Sequence, residues 1–368
     1  MITSIITFII VLSILVLVHE AGHFFAARRA GIWVEEFGFG LPPRLFGKKR
    51  GETIYSINLL PFGGFVRLHG ENTQESITDK KRAFLNQSGK VRTAVILAGV
   101  IMNFVLAIAS FSIVYSFTGI PKESGNVKVV DIRPDSPASK SGLEVGDVVK
   151  KIDGTDVTSN EEFISYVEKS QGSEIVMYAQ REDVEDLVKA KAVPRVDPPP
   201  EEGSLGVIIS SSEIYYPPIW QRPFVGIYHG FKDAFFWTGI VLGGFVKIFT
   251  DLTGGTVPTD VAGPVGIFAL TSEAAKFGIL TLINFIGILS VNLAIINVIP
   301  FPALDGGRLL FIAIEKAFGK KVLPRVETAI HTMGMILLLL LIFAITAHDV
   351  VRLISAGSIS GYIDSVIK

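Results

Sequence analysis

No cysteine occurs among the 368 residues of this chain. Disulfide bonds and thiolate metal sites are therefore excluded, and any metal site must take its ligands from His, Asp and Glu. Charged residues are also scarce, at 19% of the chain, whereas hydrophobic residues make up 49%. With a mean hydropathy of +0.48, the chain is too apolar for a typical soluble protein. The composition indicates a membrane protein.

The N-terminal apolar run lacks the marks of a cleaved signal peptide. Its first residues, Met1–Ser4, include no basic residue, and no small-residue cleavage site follows the apolar core. The residues that do follow are a His/Glu motif and the pair Arg28 and Arg29. We therefore expect a retained transmembrane helix.

Long apolar runs predict four transmembrane helices, because crossing a bilayer takes about 20 apolar residues. They are approximately Thr3–Ala27, Thr93–Phe117, Leu280–Ile299 and Thr328–Val351. A fifth run, Phe224–Phe249, is ambiguous because it contains charged residues and five glycines. We expect this run to form an interfacial or packed helix rather than a span.

Loop charges predict the orientation of these spans. Residues 28–92 contain twelve Lys/Arg and residues 303–327 contain five, whereas residues 119–222 contain twelve basic and nineteen acidic residues, a net charge of −7. The positive-inside rule therefore places the first two regions in the cytoplasm and the third outside. Both termini are then extracytoplasmic. No nucleic-acid partner is expected.

The sequence His19-Glu20-Ala21-Gly22-His23 lies within the first apolar run. Positions i and i+4 share one face of a helix, so both imidazoles can bind one metal ion, and Glu20 can act as a general base. A His-x-x-x-His pair alone arises by chance in many helices. Here the cost of placing ionisable groups in a membrane segment favours a functional site. The motif predicts a peptidase that cuts within the bilayer.

A third metal ligand is needed, because catalytic zinc sites use three protein ligands. Asp305 is the best candidate, since it follows an apolar helix end in a Pro/Gly-rich turn at membrane depth. Non-helical backbone is tolerated there only when it is buried in protein or lines a water cavity. Without the two histidines, an Asp-Gly turn at the cytoplasmic surface would be the preferred interpretation.

The acidic region predicts a small α+β domain. Asn126–Arg133, Val148–Ile152 and Glu174–Gln180 have strand patterns, and Asp153-Gly154 predicts a tight hairpin. Ser136–Ser141 predicts a short helix that ends at Gly142, and Asn160–Ser170 predicts another. The proline-rich stretch Pro194–Gly203 predicts a stiff linker after this domain.

The basic insert predicts a β-hairpin. Ile54–Asn58 and Gly64–Leu68 are apolar and β-branched, and Pro61–Gly64 separates them. Such a hairpin could present a strand edge to an extended peptide, or it could be structural and cover the site. The sequence favours neither alternative.

Together these motifs resemble the site-2 protease family of intramembrane zinc metalloproteases, in particular its bacterial, RseP-like, sigma-factor-regulating branch. The resemblance covers nearly the whole chain. It is carried by His19–Phe24, Phe37–Gly40, Phe62–Val66, Gly99–Phe104, Ala262–Gly266 and Asn297–Gly306.

The resemblance implies a polytopic α-helical membrane protein with about four transmembrane helices, a cytoplasmic membrane-associated β-hairpin and one extracytoplasmic PDZ (α+β) domain. The implied domains are 1–118 with the insert 28–92, 119–203 (PDZ domain and linker), 204–279 (a region with the interfacial helix) and 280–368. The PDZ domain is expected to act as a size filter. No Gly-Leu-Gly-Phe-type carboxylate loop precedes its first strand.

The resemblance also implies the roles of individual residues. His19, His23 and Asp305 would bind Zn²⁺, and Glu20 would be the base. The substrate would be a transmembrane helix, such as that of an anti-sigma factor or a signal-peptide remnant, and it must unwind before cleavage. The substrate cleft would be lined by Asn297, Pro300, Pro302, Gly63, Gly64, Phe65, Val66 and Asn103.

Several alternatives remain open on sequence alone. Asn103 or Asn297 could donate a hydrogen bond to the developing oxyanion, or Asn103 could bond between helices instead. A membrane metal-ion transporter could use His19 and His23 in transit, although such a protein should carry paired polar residues on several spans. An inactive PDZ scaffold is a further alternative, against which the intact Glu20 argues.

Overall fold

The computed structural model describes residues 2–71, 77–182, 184–199, 202–254, 262–319, 322–357 and 361–362. The chain forms two compact units. Met1–Phe117 and Trp220–Lys368 together form the helical unit, and Thr118–Ile219 forms the β-rich unit.

The helical unit is formed by two separate parts of the chain, and the β-rich unit lies between them in the sequence. The helical unit begins with α1 (Ile2–Arg29), β1 (Val34–Arg50), β2 (Thr53–Leu68), a short 3₁₀ turn (Phe84–Asn86) and α2 (Gly89–Thr118). The β-rich unit contains β3 (Ile120–Ile132), α3 (Pro137–Ser141), β4 (Val148–Ile152), β5 (Thr155–Asp156), α4 (Asn160–Lys169), β6 (Ile175–Gln180), β7 (Val188–Ala192) and β8 (Val207–Tyr215). The helical unit resumes with α5 (Arg222–Thr253), α6 (Pro264–Lys276), α7 (Ile279–Val298), α8 (Asp305–Phe318) and α9 (Pro324–Ala356).

Four of the described helices are long and apolar enough to cross a membrane. They are Ile2–Arg29, Gly89–Thr118, Ile279–Val298 and Arg325–Ala356, which match the four predicted spans. Their contacts create small apolar clusters rather than one large core. Val11 and Leu15 of α1 pack with Ile286 of α7, and Phe111 of α2 packs with Val291 of α7.

The ambiguous fifth run forms the single helix α5, which packs closely against α2. A Cβ atom added at Gly226 would lie 2.5 Å from Ser116 Oγ, and one at Gly230 would lie 2.7 Å from the Ile108 carbonyl oxygen. The Tyr115 hydroxyl donates a 2.7 Å hydrogen bond to Asp233. The absence of side chains at Gly226 and Gly230 therefore allows α5 and α2 to approach closely.

The sheet beside α1 corrects the predicted hairpin. Ile54–Asn58 and Gly64–Leu68 do not pair with each other, because the first half of β1 lies between them. Gly38 lies beside Phe65 on one side and beside Ser56 on the other. Glycine is needed at position 38 because a Cβ atom there would lie 2.5 Å from the Phe65 ring, which is too close for a side chain. Among the described residues, Gly64–Leu68 pairs only with β1 and is therefore an edge segment.

The β-rich unit has the strand order β7-β6-β4-β3-β8, with β5 paired to β4. Its core is apolar and fully buried, with Val127, Val149, Ile152, Ile175 and Met177 at its centre. The predicted local elements are all present. Helix α3 ends at Gly142 with a φ of 88°, and Asp153 and Gly154, with φ values of 49° and 86°, form the tight turn between β4 and β5.

The predicted end of this domain at residue 203 moves to residue 219. Strand β8 pairs with β3, with Val207 opposite Ile132 and Tyr215 opposite Ile120, so residues 204–219 belong to the β-rich unit. The described part of Pro194–Gly203 is consequently a loop within this unit rather than a linker after it. The Arg195 amide donates to the Ser204 carbonyl at 2.8 Å, which closes the loop.

Candidate metal centre

Three predicted ligands meet at one point in the helical unit. His19 Nε2 lies 3.1 Å from Asp305 Oδ2, and His23 Nε2 lies 3.2 Å from the same oxygen. The two imidazole nitrogens are 3.2 Å apart. We call these residues the triad. A group with this geometry and these donor types can hold a metal ion.

The triad fits a tetrahedral zinc ion. Zinc bonds of about 2.0 Å in a tetrahedron place the ligand atoms about 3.3 Å apart. The three observed separations of 3.1, 3.2 and 3.2 Å agree with that spacing. Asp305 Oδ2 is buried and has no hydrogen-bond partner among the described residues. A cation in contact with this oxygen would satisfy it.

Helix α1 places the two histidines on one face, as the i, i+4 spacing predicts. Their rings meet edge to face, with centroids 4.7 Å apart and an interplanar angle of 89°. His23 Nδ1 lies 2.9 Å from the Val95 carbonyl oxygen, an acceptor only, so Nδ1 carries the proton. The His23 Nε2 lone pair is then available to a metal.

Asn103 holds the other histidine from α2. Its amide nitrogen lies 3.3 Å from His19 Nδ1, and its Oδ1 has no partner among the described residues. Amide nitrogen and oxygen are assigned from their contacts, and rotating this amide lets Oδ1 accept a hydrogen bond from His19 Nδ1. That orientation leaves His19 Nε2 available as a ligand and gives Asn103 Oδ1 a hydrogen-bond donor.

Two glycines allow α1 and α2 to approach closely beside the histidines. A Cβ atom at Gly22 would lie 2.2 Å from the Ala98 carbonyl oxygen. One at Gly99 would lie 2.5 Å from His23 Nε2 and 2.8 Å from His19 Cε1. The absence of a side chain at Gly99 therefore leaves the space that the imidazoles occupy.

Asp305 reaches the histidines from a tight turn between α7 and α8. It is the first residue of α8, rather than part of the turn as predicted. Glycines stand at the next two positions, Gly306 and Gly307, because the turn folds back so closely onto the start of α8 that side chains would not fit there. A Cβ atom at Gly306 would lie 2.1 Å from the Ile299 carbonyl oxygen, and one at Gly307 would lie 2.5 Å from that of Phe301.

The predicted base Glu20 lies in the same cavity as the triad. This cavity has a volume of about 440 Å³ and is lined by Glu20, Phe65, Val66 and the triad, among other residues. Glu20 Oε2 accepts a 3.0 Å hydrogen bond from the Val66 amide. The edge segment Gly64–Leu68 therefore borders the metal centre, and its Val66 amide points toward Glu20.

Not all the predicted cleft residues reach the cavity. Asn297 Nδ2 lies 3.5 Å from His19 Nε2, so Asn297 is beside the triad. Gly64 packs against Leu17 of α1, and Gly63 has a φ of 79° that allows the turn before the edge segment. Pro302 packs against α9 instead, where a Cβ atom at Gly334 would lie 2.3 Å from it. Pro300 is not among the residues that line the cavity.

Sequence reasoning missed a second polar group in this cavity. It consists of Glu71, Arg308, Glu327 and His331. Glu71 forms an ion pair with Arg308 and also accepts a 3.1 Å hydrogen bond from the Leu68 amide. The only sequence signal was the position of Arg308, three residues after Asp305 on a helix, which places both on one face.

Charges within the cavity influence one another. The carboxylate of Glu71 raises the pKa of Arg308, so this guanidinium stays charged. Asp305 Oδ2 faces the Nε2 atoms of both histidines, and a carboxylate oxygen in that position suits a divalent cation.

Comparison with known proteins identifies the family. A model of peptidase family M50 matches residues 7–341. This chain belongs to peptidase family M50. It is therefore an intramembrane zinc metalloprotease that acts on membrane-protein substrates, which confirms the predicted activity and the predicted metal.

Individual relatives match over nearly the whole chain. Zinc metalloprotease RasP of Oceanobacillus iheyensis is 29% identical over 435 residues, which cover 95% of this chain and 99% of that protein. Zinc metalloprotease RasP of Geobacillus kaustophilus is 30% identical over 425 residues, covering 94% and 97%. A Clostridium perfringens protein is 36% identical over 342 residues, covering 92% and 96%.

A solved structure is similar to part of the chain. It is the PDZ domain of the SdrC-like protein from Listeria monocytogenes, which matches 24% of this chain and 93% of its own length. The sequence identity is 23% and the TM-score is 0.20.

Proposed function

We propose that His19, His23 and Asp305 bind the zinc ion of this protease and that Glu20 is its general base. The observation that carries this proposal is the triangle of ligand atoms with sides of 3.1, 3.2 and 3.2 Å. Glu20 lines the same cavity and is not among the three ligands. This division of roles is the one that the His-Glu-x-x-His arrangement uses.

The reaction is hydrolysis of a peptide bond. A bound zinc ion would supply Lewis-acid chemistry, lowering the pKa of water to about 7 and polarising the scissile carbonyl. Glu20 takes the proton from the attacking water and passes it to the leaving amine. Asn297 lies close enough to His19 to donate a hydrogen bond to the developing oxyanion. Asn103, by contrast, orients His19.

The substrate class follows from the membrane setting. A transmembrane helix shields its own peptide bonds, so a single-span substrate must unwind and lie extended before cleavage. The edge segment Gly64–Leu68 supports docking of such an extended chain, because it has a strand neighbour on one side and the cavity on the other. Adding the substrate as a further strand would align its backbone with the triad. Anti-sigma factors and signal-peptide remnants are candidate substrates.

The charge distribution supports an orientation in the bacterial inner membrane with both termini outside. Residues 28–92 contain twelve Lys/Arg, whereas residues 119–222 have a net charge of −7. We infer that the β-rich unit is extracytoplasmic and excludes substrates that retain bulky outer domains. A single cysteine at Ser159 tests the orientation, because the chain has no other cysteine. Labelling by an impermeant thiol reagent in intact cells is expected, and labelling only after lysis would invert the orientation.

The assignment of roles is tested by comparing metal content with activity. Glu20→Gln should keep one zinc per chain and lose cleavage, because the base is not a ligand. His19→Ala, His23→Ala and Asp305→Ala should each lose zinc and activity together. Full zinc occupancy in Asp305→Ala would place the third ligand elsewhere, and loss of zinc in Glu20→Gln would make Glu20 a ligand.

A further inference from the structure

The edge segment Gly64–Leu68 does not present bare amides to the cavity. Val66 and Leu68 alternate along the strand, so their amides point the same way, away from β1. The Val66 amide donates to Glu20 Oε2 at 3.0 Å, and the Leu68 amide donates to Glu71 Oε2 at 3.1 Å. Two carboxylates therefore occupy the positions that the carbonyl groups of an added strand would take.

The two carboxylates differ in what holds them. Glu71 is fixed by Arg308, whose guanidinium bonds the other carboxylate oxygen. Glu20 has no ion pair with Lys or Arg among the described residues, and it accepts its hydrogen bond from the Val66 amide. The contact that holds Glu20 at the edge is thus a single backbone amide. An incoming carbonyl group can replace it at that amide.

We propose that a substrate strand docking on Gly64–Leu68 takes over the Val66 amide and thereby releases Glu20 to act as the base. Docking and release of the base are then one event, because the same N–H group cannot donate fully to both acceptors. Before docking, Glu20 is held against the strand rather than directed at water. This proposal rests on the proposed function, in which the edge segment is the docking site.

The coupling has a consequence for peptides that do not pair with the edge. A chain that enters the cavity without replacing the Glu20–Val66 hydrogen bond leaves the base engaged. Cleavage is therefore restricted to chains that are already unwound and aligned along the strand. A single backbone contact thus links substrate geometry to chemistry.

The test is a set of binding measurements on inactive variants, so that cleavage does not interfere. The probe is a fluorescently labelled single-span polypeptide that the wild type cleaves, with an apolar segment of about 20 residues. Its Kd is measured in detergent for Glu20→Gln and Glu20→Ala, each loaded with zinc. The Glu20→Gln variant keeps a side-chain oxygen that can accept from the Val66 amide, whereas Glu20→Ala removes the competitor.

We expect Glu20→Ala to bind the probe about three- to tenfold more tightly than Glu20→Gln, the range for one neutral hydrogen bond. Equal affinities, or tighter binding by Glu20→Gln, would overturn the proposal. The comparison needs no change at Val66, so it stands even if variants there fold poorly.

A second pair of variants separates this proposal from the docking model. Val66→Pro removes the amide, and proline is tolerated at an edge position whose N–H points away from the sheet. The double variants Val66→Pro/Glu20→Ala and Val66→Pro/Glu20→Gln should bind the probe with equal affinity. Both should bind it more weakly than the single variant Glu20→Ala does. Val66→Ala is the matched control that keeps the amide, and it should preserve the difference. If Val66→Pro leaves binding unchanged, the edge is not the docking site, and both ideas fail.

Discussion

His331 Nδ1 accepts a 3.0 Å hydrogen bond from the amide of Ala303, two residues before the proposed ligand Asp305. Ala303 has a φ of 82°, a left-handed conformation that costs a non-glycine residue about 1–3 kcal/mol. On the same face of α9, Gly334 lies against Pro302 so closely that no side chain would fit. Helix α9 therefore holds the turn that presents Asp305 to the two histidines.

Replacing His331 should weaken zinc binding without removing any ligand. His331→Leu loses the acceptor for the Ala303 amide, so the turn relaxes and Asp305 moves. We expect the zinc dissociation constant to rise on the order of tenfold, as for loss of an outer partner of a metal ligand. His331→Asn places an oxygen close to the position of Nδ1 and should restore most of the affinity. Chelator competition measures both. Equal weakening by the two variants would show that bulk, not the hydrogen bond, matters.

Adding one methyl group at Gly99 should disrupt the metal centre. The Cβ atom would lie 2.5 Å from His23 Nε2, a distance that forces the imidazole to move. Gly99→Ala should therefore lose most of its zinc and its activity. Gly243→Ala on α5 is the matched control, because its Cβ atom would meet nothing within 4 Å. Metal analysis of the two purified variants makes the comparison. Full zinc content in Gly99→Ala would contradict the observed packing.

The β-rich unit should lose stability in acid through Asp147. Burial alone would raise the pKa of Asp147, but hydrogen bonds from Arg181 and from the Glu144 amide lower it. Because the pKa of Asp147 is lower in the folded unit than in the unfolded chain, the ionised carboxylate stabilises the fold at pH values above the unfolded-state pKa of about 3.9. This stabilisation is lost as the pH falls through the folded-state pKa of Asp147.

Asp147→Asn should remove that pH dependence. It should also lower the free energy of unfolding at neutral pH by about 1–3 kcal/mol, the range for hydrogen bonds to a buried charged group. Denaturant unfolding of the Thr118–Ile219 fragment at pH 7 and below pH 4 provides the measurement. If the free energies of unfolding of the wild-type and Asp147→Asn fragments differ by the same amount at pH 7 and below pH 4, the predicted pH dependence is wrong.

The sequence predicted the features that depend on local spacing. His19 and His23 are four residues apart on a helix, so their common face follows from helical geometry alone. The turn at Asp153 and Gly154 and the helix stop at Gly142 follow from the same kind of local rule. The four apolar helices follow from length and composition.

Pairing between distant segments could not be predicted in this way. Nothing near Gly64–Leu68 in the sequence indicates that β1 separates it from Ile54–Asn58, because strand patterns do not specify partners. Likewise, β8 pairs with β3, although most of the β-rich unit separates the two strands in the sequence. The predicted domain boundary at residue 203 was therefore too early. The roles of Glu71 and His331 depend on contacts with segments that are far away in the chain, Arg308 and Ala303.

The most direct test of intramembrane cleavage with Glu20 as the base is cleavage of a defined single-span substrate by the purified protein in liposomes, with the products identified by mass spectrometry. The wild type should cut within the apolar segment. The Glu20→Gln variant should make no cut, although it still contains one zinc per chain. Cleavage by the zinc-loaded Glu20→Gln variant at the wild-type rate would show that Glu20 is not the base, and a cut confined to the soluble flanks of the substrate would show that cleavage is not intramembrane.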